Sequence, residues 1–231
     1  MDLIYKLEHG GIAGLKMIQF NGWLIKERHM SIPINKSFKK SYERYINQDI
    51  LVSSPRPGTK GESGVGVMAT VVNTLWDSSY TGKDVYQLLK NENFNLKNLG
   101  NQSLLRCLTK LFEELNLNGT AEVYLEKLGE NSKEVETNWE ILKKKIRSKN
   151  AVIIYHELDH YSVVCGFYEQ ARDTARFKNL SNGYFDRWDY ILLAEQSAYF
   201  EHEPIRIVSL TKVRDDLAEN KNHLLMSVTK K

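Results

Sequence analysis

The sequence has little cysteine, no long apolar run and no excess of one charge, and each shortage removes a class of protein. Its 231 residues contain two thiols, Cys107 and Cys165, too few for a disulfide framework and without the partner spacing of a zinc site. Both lie in apolar patterns and read as buried, unpaired thiols of a reducing compartment. The uncharged stretch Ser63 to Trp76 is closed by Glu62 and Asp77, short of the roughly 20 apolar residues that span a bilayer. Charge nearly cancels, 32 basic against 29 acidic residues for a net +3, and it is spread along the chain, which gives no case for nucleic acid. The densest basic run, Lys143 to Lys145, shares a helical pattern with Glu134, Glu136 and Glu140 and reads as a solvated face. Asp2, Lys6, Glu8 and Lys16 interrupt the first apolar residues, unlike a secretory signal. The expectation is a cytoplasmic protein, or an effector delivered into another cytosol, with no metal, cofactor, nucleic-acid or membrane partner.

What is present centres on Ser63 to Trp76. Val65, Met68, Ala69, Val72 and Leu75 recur at helical spacing while Val67 and Val71 form a second apolar side, so a helix buried on most of its circumference is expected. The segment Ser53 to Gly61, with Pro55, Pro57, Gly58 and Gly61, continues neither a helix nor a central strand. A turn-rich loop thus delivers Ser63 to a helix N-terminus, where unpaired amides and the positive end of the dipole favour an anion or a nucleophile that becomes one. The plainer reading makes Ser63 an N-cap, a position serine prefers.

A second stretch, Ala151 to Phe167, has two β-rich runs around a polar turn, and His160 opens the second run. Together, Ser63-Gly-Val-Gly-Val-Met-Ala-Thr-Val-Val-Asn-Thr-Leu75 resembles the nucleophile helix of phytochelatin synthases and related C39-like cysteine peptidases, and His160-Tyr-Ser-Val-Val-Cys-Gly-Phe167 resembles their catalytic-His strand. Order and approximate spacing match as well. The resemblance implies a papain-like cysteine proteinase fold of class α+β, acyl transfer by Ser63 in the place of the family's Cys with His160 as base, and a short peptide or glutathione-like substrate. It covers roughly Ser31 to Leu210.

A base of this kind is oriented through its other ring nitrogen. The family's Asp strand is matched by Ile191 to Pro204, which puts Gln196, or Glu195 after a one-residue slip, in the Asp's place. Adjacent strand residues face opposite sides, so only one of them can point at His160. Asp173 is a third candidate and requires a shorter hairpin. Two departures from the family bear on function. Serine lacks the low-pKa ionised state that a cysteine reaches at such a site. The family's oxyanion-hole Gln is missing from Pro55 to Glu62, and loss of one such donor costs about 100 to 1,000-fold in rate. Three readings of Ser63 therefore stay open: an engineered replacement of a nucleophilic Cys, a natural serine variant, or an inactive relative that keeps the cleft to bind a protein or peptide partner.

One papain-like domain is expected over 1–231: a mainly helical part, 1–150, and a mainly antiparallel sheet part, 151–231, with the cleft between them. Ser37 to Ile46 fits a helix through Phe38, Tyr42, Tyr45 and Ile46. A helix is expected from Asp84 to Leu89, another capped by Ser103 and stopped by Gly119, and a third from about Thr137 to Ser148. Ala121 to Leu128 suits strand or helix. Strands are expected at 151–155, 189–194, 205–210 and 224–228. The polar and aromatic insertion from Gln170 to Trp188 is long for a hairpin and reads as a lid or as an ordered surface loop.

Overall fold

The computed structural model of the chain describes residues 42–46, 50, 62–92, 94–97, 99–157, 160–170, 189–195, 205–219 and 224–231. In chain order these form β1 (Tyr42–Ile46), α1 (Ser63–Trp76), α2 (Gly82–Leu89), α3 (Asn101–Glu114), β2 (Gly119–Leu125), α4 (Ser132–Arg147), β3 (Ala151–Glu157), β4 (His160–Gln170), β5 (Tyr190–Glu195), β6 (Ile205–Ser209), α5 (Leu210–Glu219) and β7 (Leu224–Lys230). The strands make one sheet in the order β2, β7, β3, β4, β5, β6, with β1 also on β4. Every described pairing is antiparallel, so the fold is α+β. Because β1 and β2 join strands from beyond residue 150, the two expected parts share a single sheet.

Strand β4 organises that sheet. Its first half pairs with β3 from Glu157↔His160 to Ile153↔Val164, and its second half pairs with β1 from Gly166↔Ile46 to Gln170↔Tyr42. Along its other edge runs β5, whose register slips between Val164 and Gly166. The slip is a bulge at Cys165 that exchanges the faces of the residues beyond it. Phe167 is thereby returned to the face of Val164, where it meets Trp139 of α4 edge-on at 5.7 Å.

Helices cover both faces. Tyr155 and Glu157 share one face, and α5 reaches it through Asp216 and Lys212, beside α4. On the opposite face Tyr161 bonds to Leu99 ahead of α3, and Gly119 of β2 admits the Trp76 ring of α1, whose Cη2 would lie 2.7 Å from a Cβ there. All seven residues of β3 are buried accordingly, which a half-exposed antiparallel strand is not.

Helix α1 is the buried helix expected: Val65, Val67, Met68, Ala69, Val71 and Val72 have no exposed surface. It ends at Asp77, which takes a left-handed conformation (φ 52°). Asn73 then fastens the turn into α2, donating to Tyr80 O at 2.8 Å and accepting from Tyr80 N at 2.7 Å.

Several local expectations are corrected. Tyr42–Ile46 is a strand, because the free edge of β4 beyond Val164 offers its backbone a partner. Gly100, not Ser103, is the N-cap of α3. That helix stops at Glu114, well before Gly119, with Asn116 at positive φ. Ala121 lies in strand β2, and α5 fills a stretch for which no element was expected.

Candidate functional site

Ser63 is the first residue of α1, and the N-cap is Glu62, so the capping role expected of the serine falls one residue earlier. Glu62 caps with its backbone: its carbonyl accepts from Val65 N at 3.2 Å and Gly66 N at 3.4 Å. The Ser63 hydroxyl, freed from capping, turns to the sheet, and its Oγ accepts from the backbone amide of Tyr161 at 3.2 Å. Ser63 is only 6% exposed.

Tyr161 directly follows His160, so the start of α1 is seated against the start of the His strand across 98 residues of sequence. The next amide along β4 after the described pair Ser162↔Glu195, that of Tyr161, is met by the Ser63 side chain. Close approach is permitted by Gly64, where a Cβ would stand 2.9 Å from Leu99 Cδ1. Leu99 in turn presents its carbonyl to the Tyr161 hydroxyl at 2.8 Å. Ser63, Gly64, Leu99 and Tyr161 therefore lock the helix start, the loop before α3 and the strand start together.

His160 is half-buried, the first residue of β4, and directly opposite Glu157. By the pleat it belongs to the face of Ser162, Tyr155 and Glu157, whereas Tyr161 belongs to the other, where its ring stacks on His156 with centroids 4.2 Å apart. Of the candidate orienting residues, Glu195 is the register partner of Ser162, and Gln196 and Asp173 lie outside the described residues. So do the segment 53–61 and the insertion from 171 to 188. The Ser63 hydroxyl meets the backbone amide next to His160, while the His160 side chain belongs to the face opposite that of Tyr161.

On the His160 face lies a group of charged side chains that sequence reasoning missed. Tyr155 donates its hydroxyl proton to Asp216 Oδ2 at 2.6 Å. Lys212 pairs with the other oxygen of Asp216, one helical turn away, and lies 3.6 Å from Glu157 Oε1. Tyr155, Glu157 and Asp216 are all buried. The signal was the alternation of Tyr155 and Glu157 on one strand face, together with the i,i+4 spacing of Lys212 and Asp216.

Elsewhere, Cys107 and Cys165 are buried and form no disulfide, and burial pushes the Cys107 thiol up to about 12. Cys165 Sγ lies 3.4 Å from Leu192 O as a donor. A surface pocket lined by Ser78, Ser79, Tyr80, Asp84, Gln87 and Leu88 lies past the far end of α1, about 20 Å along that helix from Ser63. No described helix is long and apolar enough to cross a membrane.

With this geometry in hand, comparison with known proteins gives little. No protein-family model matches the chain, and no curated protein does. Among solved structures, the chain is similar to that of UfSP from C. elegans, at 10% identity and a TM-score of 0.40, over 78% of this chain and 32% of that one. It thus spans about a third of that structure's length.

Proposed function

We propose that the chain is a papain-like acyl-transfer protein in which Ser63 stands at the nucleophile position and His160 at the base position. The observation that carries this reading is the 3.2 Å contact between Ser63 Oγ and the amide that follows His160. It seats a helix N-terminus, with its positive dipole end, beside the first residue of a strand bearing an imidazole. The reaction class is attack on a peptide or γ-glutamyl amide, formation of an acyl-enzyme and release to water or an amine. A short peptide or a glutathione-like thiol peptide is the substrate class, and Gln196 or Glu195 is the family-matched support for the base.

The test is to install a thiol. In Ser63→Cys, a cysteine at the helix start beside His160 should ionise near neutral pH and react with iodoacetamide faster than Cys107 or Cys165. Adding His160→Ala should slow it. Release of glycine from glutathione, or cleavage of a peptide library, should appear weakly in the same variant, because Pro55 to Glu62 holds no Gln to stabilise the oxyanion. A new thiol that reacts no faster than an ordinary exposed one, and is indifferent to His160→Ala, would leave the second reading: a binding module that holds a protein or peptide partner. One observation favours that alternative, since accepting the Tyr161 amide is a structural duty that serine performs without any chemistry.

A further inference from the structure

We infer that Glu157, on the strand preceding the His strand, is the positioning residue for His160. This rests on the reading of His160 as a base, and it replaces the expected support from the strand that follows with one from the strand before.

The argument begins with register. Glu157 and His160 are directly opposed across the β3–β4 hairpin, and directly opposed residues of an antiparallel pair have Cβ atoms about 4.5–5.5 Å apart on the same face. Glu195 is opposed to Ser162, which makes it diagonal to His160, at about 7–8 Å. Of these two carboxylates, Glu157 has the separation at which a carboxylate meets an imidazole N–H without a long reach.

Glu157 is also held in place. Its Oε1 lies 3.6 Å from Lys212, whose ammonium is anchored by Asp216, and Asp216 is itself fixed by the Tyr155 hydroxyl at 2.6 Å. The carboxylate, 8% exposed, thus has one oxygen turned to a cation. In the inferred arrangement its second oxygen accepts from the imidazole. A carboxylate that accepts a hydrogen bond from Nδ1–H fixes the tautomer and leaves the Nε2 lone pair available as the base. On the face of His160 stand Glu157 and Tyr155 of β3, and Lys212 and Asp216 of α5 reach that face. In this arrangement α5 acts on the site by steadying Glu157.

The experiment reads the tautomer of His160 by ¹⁵N NMR of histidine-labelled protein, with the resonance assigned by its loss in His160→Ala. The unmodified protein should carry the neutral ring's proton on Nδ1. In Glu157→Met, which removes the acceptor, the Nδ1–H form should fall from the majority to a minority. In Glu157→Gln, whose amide oxygen still accepts, it should largely return, a rescue that a purely structural role would not produce. A neutral ring protonated on Nε2 in the unmodified protein overturns the inference without recourse to any variant, as does an unchanged tautomer in folded Glu157→Met. Iodoacetamide reactivity of Ser63→Cys separates the two claims. A correct tautomer with an inert thiol would sink the acyl-transfer reading alone, and a reactive thiol with Nε2–H would sink the role of Glu157 alone.

Discussion

Tyr161 donates its hydroxyl proton to the carbonyl of Leu99 at 2.8 Å, in a buried setting, with Asn101 Oδ1 at 3.3 Å from the same oxygen. The residue that offers its amide to Ser63 is thus fixed at its other end by the loop before α3. Tyr161→Phe removes the donor and strands the carbonyl, which costs about 1–3 kcal/mol for a buried group. Urea unfolding should show that loss. Because the backbone amide is untouched, the thiol reactivity of Ser63→Cys should change much less than the stability does. Equal stability of Tyr161→Phe and the unmodified protein would mean that Leu99 O finds another donor.

The part of this arrangement that is legible in the sequence is the part governed by local periodicity. Helix α1 follows from Val65, Met68, Ala69, Val72 and Leu75, and α4 from Val135, Trp139, Leu142 and Ile146, all of them buried. Tyr42, Tyr45 and Ile46 satisfy the same helical spacing and yet form β1, since pairing with β4 outweighs a weak local preference. Helix α5 is legible too: Leu210, Val213 and Leu217 are its buried apolar residues and recur at helical spacing. The opposition of Glu157 to His160 depends on hairpin register, which a two-residue connection sets but composition does not reveal. The contact of Ser63 with the Tyr161 amide joins positions 98 residues apart, and nothing near Ser63 encodes that.

A pH dependence follows from the start of α2. Thr81 caps this helix, and Asp84 accepts from the Thr81 hydroxyl at 2.6 Å and the Thr81 amide at 2.8 Å. These hydrogen bonds, the hydroxyl's first, hold the Asp84 carboxyl below its ordinary value. A depressed folded-state pKa contributes stability that is present above the unfolded value, near about 4, and is lost as pH falls through the folded one. The effect is small, since Asp84 is exposed and its interactions are screened. Asp84→Asn should therefore be less stable than the unmodified protein at pH 6, and the gap between their urea midpoints should close on acidification to pH 2. A gap of constant width would show that the carboxylate charge is not what stabilises the cap.

Thiol labelling tests the core beneath the site. Cys107 has no exposed surface, and its thiol is pushed up to about 12 by burial, which suppresses the thiolate needed for alkylation. Cys165 lies equally deep in β4 at the bulge. Both should resist iodoacetamide in the native protein and react promptly in denaturant. Rapid native labelling of either would show that the core opens locally, which would undercut the use of these thiols as the slow standard for Ser63→Cys.

The structural duty of Ser63 gives the last prediction. Its Oγ accepts from the Tyr161 amide, at a point where no described strand residue takes that proton. Ser63→Ala removes the acceptor from a residue that is 6% exposed, and an amide left without a partner at such a site costs about 1–3 kcal/mol. A catalytic serine under no structural demand behaves differently, because its replacement leaves stability unchanged or raises it. Ser63→Cys should fall between the unmodified protein and Ser63→Ala, since sulfur is a weak acceptor of the same proton. Urea midpoints of the three proteins decide the matter. Ser63→Ala at or above the stability of the unmodified protein would show that the Tyr161 amide is satisfied without the hydroxyl. In that case the serine has no packing reason to be there, and the case for its chemistry is stronger.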